Sequence, residues 1–129
     1  MVYSGTYRIN MEDEQYYRTR EMEYVRPAFE DLLKRLQTDY IDLGMIHYVD
    51  SEEEWENLQH SEYMDYVMEL KRTGVIRHIG MSSHNPKVAK KAAESGYVEM
   101  ILFSINPAFD MLLQVKILIP CLRKNLTAA

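Results

Sequence analysis

Three observations predict an α/β chain: three parallel strands with helices interleaved between them. The first is a set of apolar runs at residues 40–48, 75–82 and 98–105, nearly continuous, as strands covered on both faces require. The second is helical periodicity and helix-start residues in the intervals between those runs. The third is the order itself. Strand, helix, strand, helix, strand at this spacing is the signature of βαβ units, because parallel strands can be joined only by a long crossover.

Residues 1–18 are polar and rich in tyrosine (Tyr3, Tyr7, Tyr16, Tyr17), with little periodicity, and read as an irregular arm with at most one short strand. A helix follows from Thr19, its cap, with Glu21 and Glu23 at the positive end of the dipole. Phe29, Leu32, Leu33 and Leu36 recur at i, i+3, i+4 and i+7 and give that helix one apolar face. Pro27 either kinks it or marks its first turn. Residues 40–48 form the first strand. Ser51 before Glu52, Glu53 and Glu54 is a helix start. The main crossover helix covers residues 61–72, with Tyr63, Tyr66, Val67 and Leu70 inward and Gly74 as its stop. After the strand at 75–82, Asn85-Pro86 opens a helix over 86–95 that Gly96 closes, and residues 98–105 are the third strand.

At 129 residues the chain has the size of one domain. A net charge of −5 and a pI near 5.4 argue against a nucleic-acid partner, which wants a basic face. No apolar run has the length of a membrane span, and the amino terminus lacks a signal-peptide pattern. The single cysteine, Cys121, excludes internal disulfides and iron–sulfur clusters, and the expected location is the cytoplasm. All 20 Asp and Glu residues lie at or before Asp110, so residues 111–129 carry +3 and the rest −8. That break divides the chain into an arm (1–18), an α/β segment (19–110) and an apolar tail (111–129).

Ligands of parallel α/β folds gather at the carboxyl ends of strands. Those ends carry His47, the Ser82-Ser83-His84 group, and Ser104 with Asn106. A lone strand-end histidine is more often a hydrogen-bonded structural residue. His78 lies inside a strand, and His60 and His84 read as solvated or capping. No pair of these groups has a metal-site spacing with a third ligand. Glu52-Glu53-Glu54 reads as a solvated helix start. Ser83 and His84 are adjacent in a strand and should point to opposite faces, which argues against a nucleophile–base pair. Gly80-Met81-Ser82 lacks the glycine spacing of a phosphate loop.

The runs RLQTDYIDLGMIH and GVIRHIGMSS resemble the aldo-keto reductase family, whose members are β/α barrels that reduce carbonyls with NADPH. The resemblance covers about residues 29–110 and implies a partial (β/α)8 barrel. It places His47 on the family's catalytic histidine, which orients and polarises the substrate carbonyl. It places Ser82 and Ser83 on the Ser-Asn pair that binds the nicotinamide carboxamide, with Ser in place of Asn. Ser104 falls where the family usually carries a nicotinamide-binding Gln. Residues 105–110 most resemble bacterial members with an extra ferredoxin-type domain, whose cysteines are absent from this sequence.

A whole barrel needs roughly 250 residues, so the resemblance implies a truncated member. The family's catalytic Asp, Tyr and Lys belong to its first three strands, expected upstream, and its phosphate-gripping strands are expected downstream. Residues 111–129 do not resemble the family. A back-translation of residues 113–126 shifted by two bases reads SSEDIDTLFEEEF, an acidic text of the expected kind, which suggests a frameshift. Three functions follow from different classes. The first is an NADPH-dependent carbonyl oxidoreductase by descent, inactive in this form, with a small carbonyl compound as substrate. The second is a self-associating structural module, a homodimer or higher oligomer. The third is new chemistry at His47. Neither a membrane nor a nucleic acid is an expected partner.

Overall fold

A computed structural model describes residues 2–3 and 6–103. In chain order the elements are β1 (Val2–Tyr3), β2 (Thr6–Asn10), β3 (Gln15–Thr19), α1 (Met22–Leu36), β4 (Ile41–Ile46), α2 (Glu52–Gln59), α3 (Glu62–Arg72), β5 (Ile76–Ser83), α4 (Pro86–Glu94) and β6 (Met100–Phe103). The three expected strands β4, β5 and β6 lie side by side and parallel, with helices in both crossovers. Residues 104–129 lie outside the described residues, and with them the end of the third strand, Ser104, Asn106 and the apolar tail.

The amino-terminal arm is more ordered than its sequence suggests. Val2 and Tyr3 pair parallel to Gly44 and Met45, so β1 adds a fourth strand at the free edge of β4. Strands β2 and β3 form an antiparallel hairpin paired from Thr6↔Thr19 to Asn10↔Gln15. Neither face of the hairpin is buried: Tyr7, Ile9, Tyr16 and Tyr17 are exposed. Tyr7 and Ile9 alternate with polar residues along β2, but the run is only five residues long and β3 does not repeat the pattern.

Helix starts fall where the sequence puts them. The Ser51, Ser61 and Asn85 side chains accept from the backbone N–H groups of Glu54, Met64 and Lys87 at 2.9, 3.2 and 3.0 Å. Gly74 and Gly96 follow their helices with φ of +79°, where a side chain would be strained. The first helix differs from expectation. Its cap is Glu21, while Thr19 Oγ1 accepts from the Glu21 N–H at 3.1 Å one step earlier. Pro27 lies inside the helix on its exposed side, which continues past it to Leu36. The apolar face starts at Val25 and runs through Phe29, and Leu36 at its end is 52% exposed.

Strand alternation and register sort the sheet's two faces. Ile46, Ile79 and Met81 point to the helices and pack into one core with Phe29, Trp55 and Val67. Leu43, Met45, Met100 and Leu102 belong to the opposite face, the inner face of a barrel. Ile41 and Ile79 also belong to the helix-side core. Met45 is buried on the inner face because Gly80 is its cross-strand partner. A Cβ at Gly80 would meet the Met45 sulfur and lie 3.3 Å from the Met100 carbonyl oxygen, so a larger residue there would push the flexible Met45 side chain aside.

Candidate functional site at the carboxyl end of the sheet

His47 follows the last residue of β4 on the inner-face parity of Leu43 and Met45. Ser82, near the end of β5, shares that face. Its Oγ accepts from the Tyr48 N–H at 2.8 Å and lies 3.4 Å from His47 Nδ1. The Ser82 carbonyl accepts from the Val49 N–H at 3.0 Å. Tyr48 takes a left-handed conformation, φ 58°, so the chain turns off the sheet immediately after the histidine. Strand alternation brings His47 and Ser82 to one face, and this turn ties them together.

The β2–β3 hairpin closes on the same point. Arg20 Nη2 donates to the carbonyls of His47 and Tyr48 at 3.1 and 3.2 Å. Arg18 Nη1 donates to the same two carbonyls, at 3.5 Å to His47. Both arginines meet Glu54 Oε1 on α2, at 3.0 Å from Arg18 Nη2 and 2.5 Å from Arg20 Nη1. Burial holds the His47 imidazole below its ordinary pKa, and the charges of Arg18, Arg20 and His84 push it further down. The ring is therefore neutral near pH 7. When Ser82 donates to Nδ1, the ring's own proton sits on Nε2, and a neutral imidazole can then donate to a carbonyl oxygen without transferring its proton.

Ser83 faces the other way. It is 1% exposed, and its Oγ donates to Asp50 Oδ1 at 3.2 Å and accepts from the Asn85 N–H at 3.1 Å. His84 also binds Asp50: its N–H donates to Oδ1 at 2.6 Å and its Nδ1 lies 3.1 Å from Oδ2. Asn85 Nδ2 donates to the Asp50 carbonyl at 2.9 Å. Ser83 and His84 thus converge on one carboxylate, and Asp50 is the organising residue that sequence reasoning missed. Burial opposes the charge on Asp50, but the His84 amide and ring and the Ser83 hydroxyl outweigh it and leave the carboxyl below its ordinary pKa. Among the remaining histidines, His78 pairs with Glu99 at 2.5 Å and His60 caps α2. Among the described residues no group of three or more His, Cys, Asp or Glu could hold a metal ion. No helix among them is long and apolar enough to cross a membrane.

The description of the aldo/keto reductase family matches residues 7–127 of this sequence, nearly its whole length. The chain belongs to the aldo/keto reductase family. The match takes in most of residues 111–129, which the sequence reading set apart as unlike the family, and most of the arm as well. Among curated relatives, this aldo/keto reductase chain is 35% identical over 83 residues to an uncharacterized oxidoreductase, YqkF, of Bacillus subtilis, covering 64% of this chain and 26% of the relative. It is 33% identical over 66 residues to the methylglyoxal reductase DkgB of Escherichia coli O157:H7, covering 51% and 24%. Among solved structures, the aldo-keto reductase AKR11C1 from Bacillus halodurans in its holo form superposes with a TM-score of 0.61 at 30% identity, over 81% of this chain and 34% of that one. The glycerol dehydrogenase AKR11B4 of Gluconobacter oxydans, at 23% identity and a TM-score of 0.57, covers 81% and 31% and supports the fold. Both are (β/α)8 barrels, and the sheet of β4, β5 and β6 with its helices is part of one. The chain spans about a quarter of the length of the curated relatives it matches.

Proposed function

We propose that this chain carries the carbonyl-orienting part of an NADPH-dependent reductase, with His47 as the group that meets the substrate oxygen. One observation supports this above the others: a neutral imidazole and the Ser82 hydroxyl lie on one inner face at the carboxyl end of parallel strands. His47 orients and polarises a small carbonyl compound, and Ser82 meets the nicotinamide carboxamide beside it. NADPH, when bound, supplies the hydride. The second serine fits less well, since the Ser83 hydroxyl is buried and engaged by Asp50 and Asn85. Its role in this reading is to hold the strand end on which Ser82 stands.

No described residue takes the part of the family's tyrosine donor and its lysine, and general acid catalysis is worth about 10²–10⁴-fold. The 129-residue chain alone should therefore give no detectable aldehyde-dependent NADPH oxidation. Fluorescence titration tests the binding half of the reading. Submillimolar NADPH binding that weakens in Ser82→Ala supports it, and absence of binding at millimolar NADPH removes the nicotinamide contact from the proposal.

A second reading is favoured by the inner face itself. Leu102 is 42% exposed there, and Leu43 and Met100 are only partly covered by the described residues. Apolar burial is worth about 25 cal/mol per Å², so a second copy laid on this face would gain several kcal/mol before the cost of docking. The expected state of the isolated chain is a homodimer or higher symmetric oligomer. Light scattering checks it; a monodisperse monomer overturns it.

A further inference from the structure

We infer that Arg18 and Arg20 are positioning residues for His47: the hairpin's two guanidiniums grip the main chain at His47 and Tyr48 and fix the imidazole at the end of β4. The inference rests on His47 being the carbonyl-orienting group, but it concerns how that group is held and is tested without turnover.

Four hydrogen bonds carry it. Arg20 reaches the carbonyls of His47 and Tyr48 at 3.1 and 3.2 Å, and Arg18 reaches the same pair. Arg18 also lies over the Tyr48 ring, 5.0 Å from its centroid. Exposed arginine–carboxylate pairs are commonplace and worth little. Here two guanidiniums, one from β3 and one from the residue just past its end, converge on the same two carbonyls, and Glu54 binds both from behind. A planar fork presents its donors in the fixed geometry that such shared contacts need, which the point-charge ammonium of a lysine does not. The need for a grip is visible in Tyr48, whose left-handed backbone a residue with a side chain adopts only where its surroundings hold it.

The electrostatics agree. The charged or titratable groups facing His47 are Arg18 and Arg20 on the hairpin, Glu54 on α2, His84 after β5, and Tyr48 and Asp50 in its own segment. Of these, the charges of Arg18, Arg20 and His84 act to lower the pKa of the ring, and the two arginines are partly buried and so incompletely screened.

The test is an NMR titration of the histidine rings in the full 129-residue chain, each of the four assigned by its own His→Gln variant. Arg18→Gln and Arg20→Gln should each raise the His47 midpoint, the double variant more than either, with His60 and His78 unmoved. Arg18→Lys and Arg20→Lys keep the charge but lose the fork. They should leave the midpoint near that of the parent while shifting the His47 and Tyr48 carbonyl ¹³C resonances. An unmoved His47 midpoint in folded Gln variants overturns the proposal. Should those variants unfold, all four histidines would converge on one midpoint, and the parent chain then decides. Its Arg18 and Arg20 guanidinium protons must be slowed in exchange and show cross-peaks to Tyr48; their absence in the folded parent also overturns it. Failure of NADPH to bind would remove the nicotinamide contact of Ser82 and leave these observations as they stand.

Discussion

Trp55→Ala should cost the chain about 3–5 kcal/mol of folding stability, read as a lowered urea midpoint by far-UV circular dichroism. Trp55 is 1% exposed and lies in the core with Ile46, Ile79 and Met81 of the sheet and Val88 of α4. Its removal leaves a cavity that flanking rigid elements cannot close. Domains of this size hold roughly 5–15 kcal/mol in total, so most of the margin is at stake. The effect reaches the site, because α2 also carries Ser51 at its cap and Glu54 behind the two arginines. A loss below about 1 kcal/mol would mean that α2 does not pack on the sheet as described.

Asp50→Ala should cost about 1.5–3 kcal/mol, the range for hydrogen bonds to a charged group. The change removes one acceptor from the buried Ser83 hydroxyl, which keeps the Asn85 carbonyl at 3.3 Å, and frees the amide and ring of His84. The pH dependence gives the effect a sign. The folded carboxyl has a lowered pKa, so its stabilisation is fully present above the ordinary carboxylate pKa of about 3.9 and is lost as pH falls through the folded value. Urea midpoints measured from neutral pH downward should show a shallower acid limb in Asp50→Ala than in the parent. Asp50→Asn, which keeps an acceptor for the Ser83 and His84 donors, should retain part of the stability at neutral pH but lose the pH dependence. Parallel acid limbs in parent and Ala variant would show that the carboxylate is not what holds the strand end.

The parts of this fold that were legible in the sequence are those written in local chemistry. Ser51, Ser61 and Asn85 cap their helices because a short polar side chain can reach an N–H two or three residues on. Residues 40–48 and 75–82 read as strands, where β4 and β5 lie, because burial on both faces leaves a run of apolar residues. The hairpin was not legible, since Tyr7, Ile9, Tyr16 and Tyr17 are exposed and its turn uses Glu14 rather than glycine at φ 54°. Pro27 misleads in the same way. A proline marks a helix boundary by propensity alone, yet here the helix runs on with the ring at its surface. At the site, His47 and Ser82 were placed by strand ends and by family resemblance. Asp50 was invisible, because it sits in a loop and its partners Ser83 and His84 are 33 and 34 residues away. Arg18 and Arg20 were hidden for the same reason: a surface arginine becomes a clamp only once the sheet has brought two distant carbonyls beneath it.

The hairpin grip also bears on the order in which the molecule assembles. Pairing β2 with β3 closes a four-residue turn, a microsecond event for an isolated hairpin. The bonds that build the site span 27 to 36 residues: the arginines to His47 and Glu54, Ser82 to Tyr48, and Asn85 to Asp50. Loop closure over such distances must precede any reward from the contacts themselves. The arginines are therefore carried on a preformed arm that waits for β4 and β5 to find each other, and the histidine's seat is among the last features to take shape. During that interval the newly paired edge strands are open to a neighbouring chain, so the same slow step that completes the site is the one at which refolding at high concentration is expected to stray into aggregates.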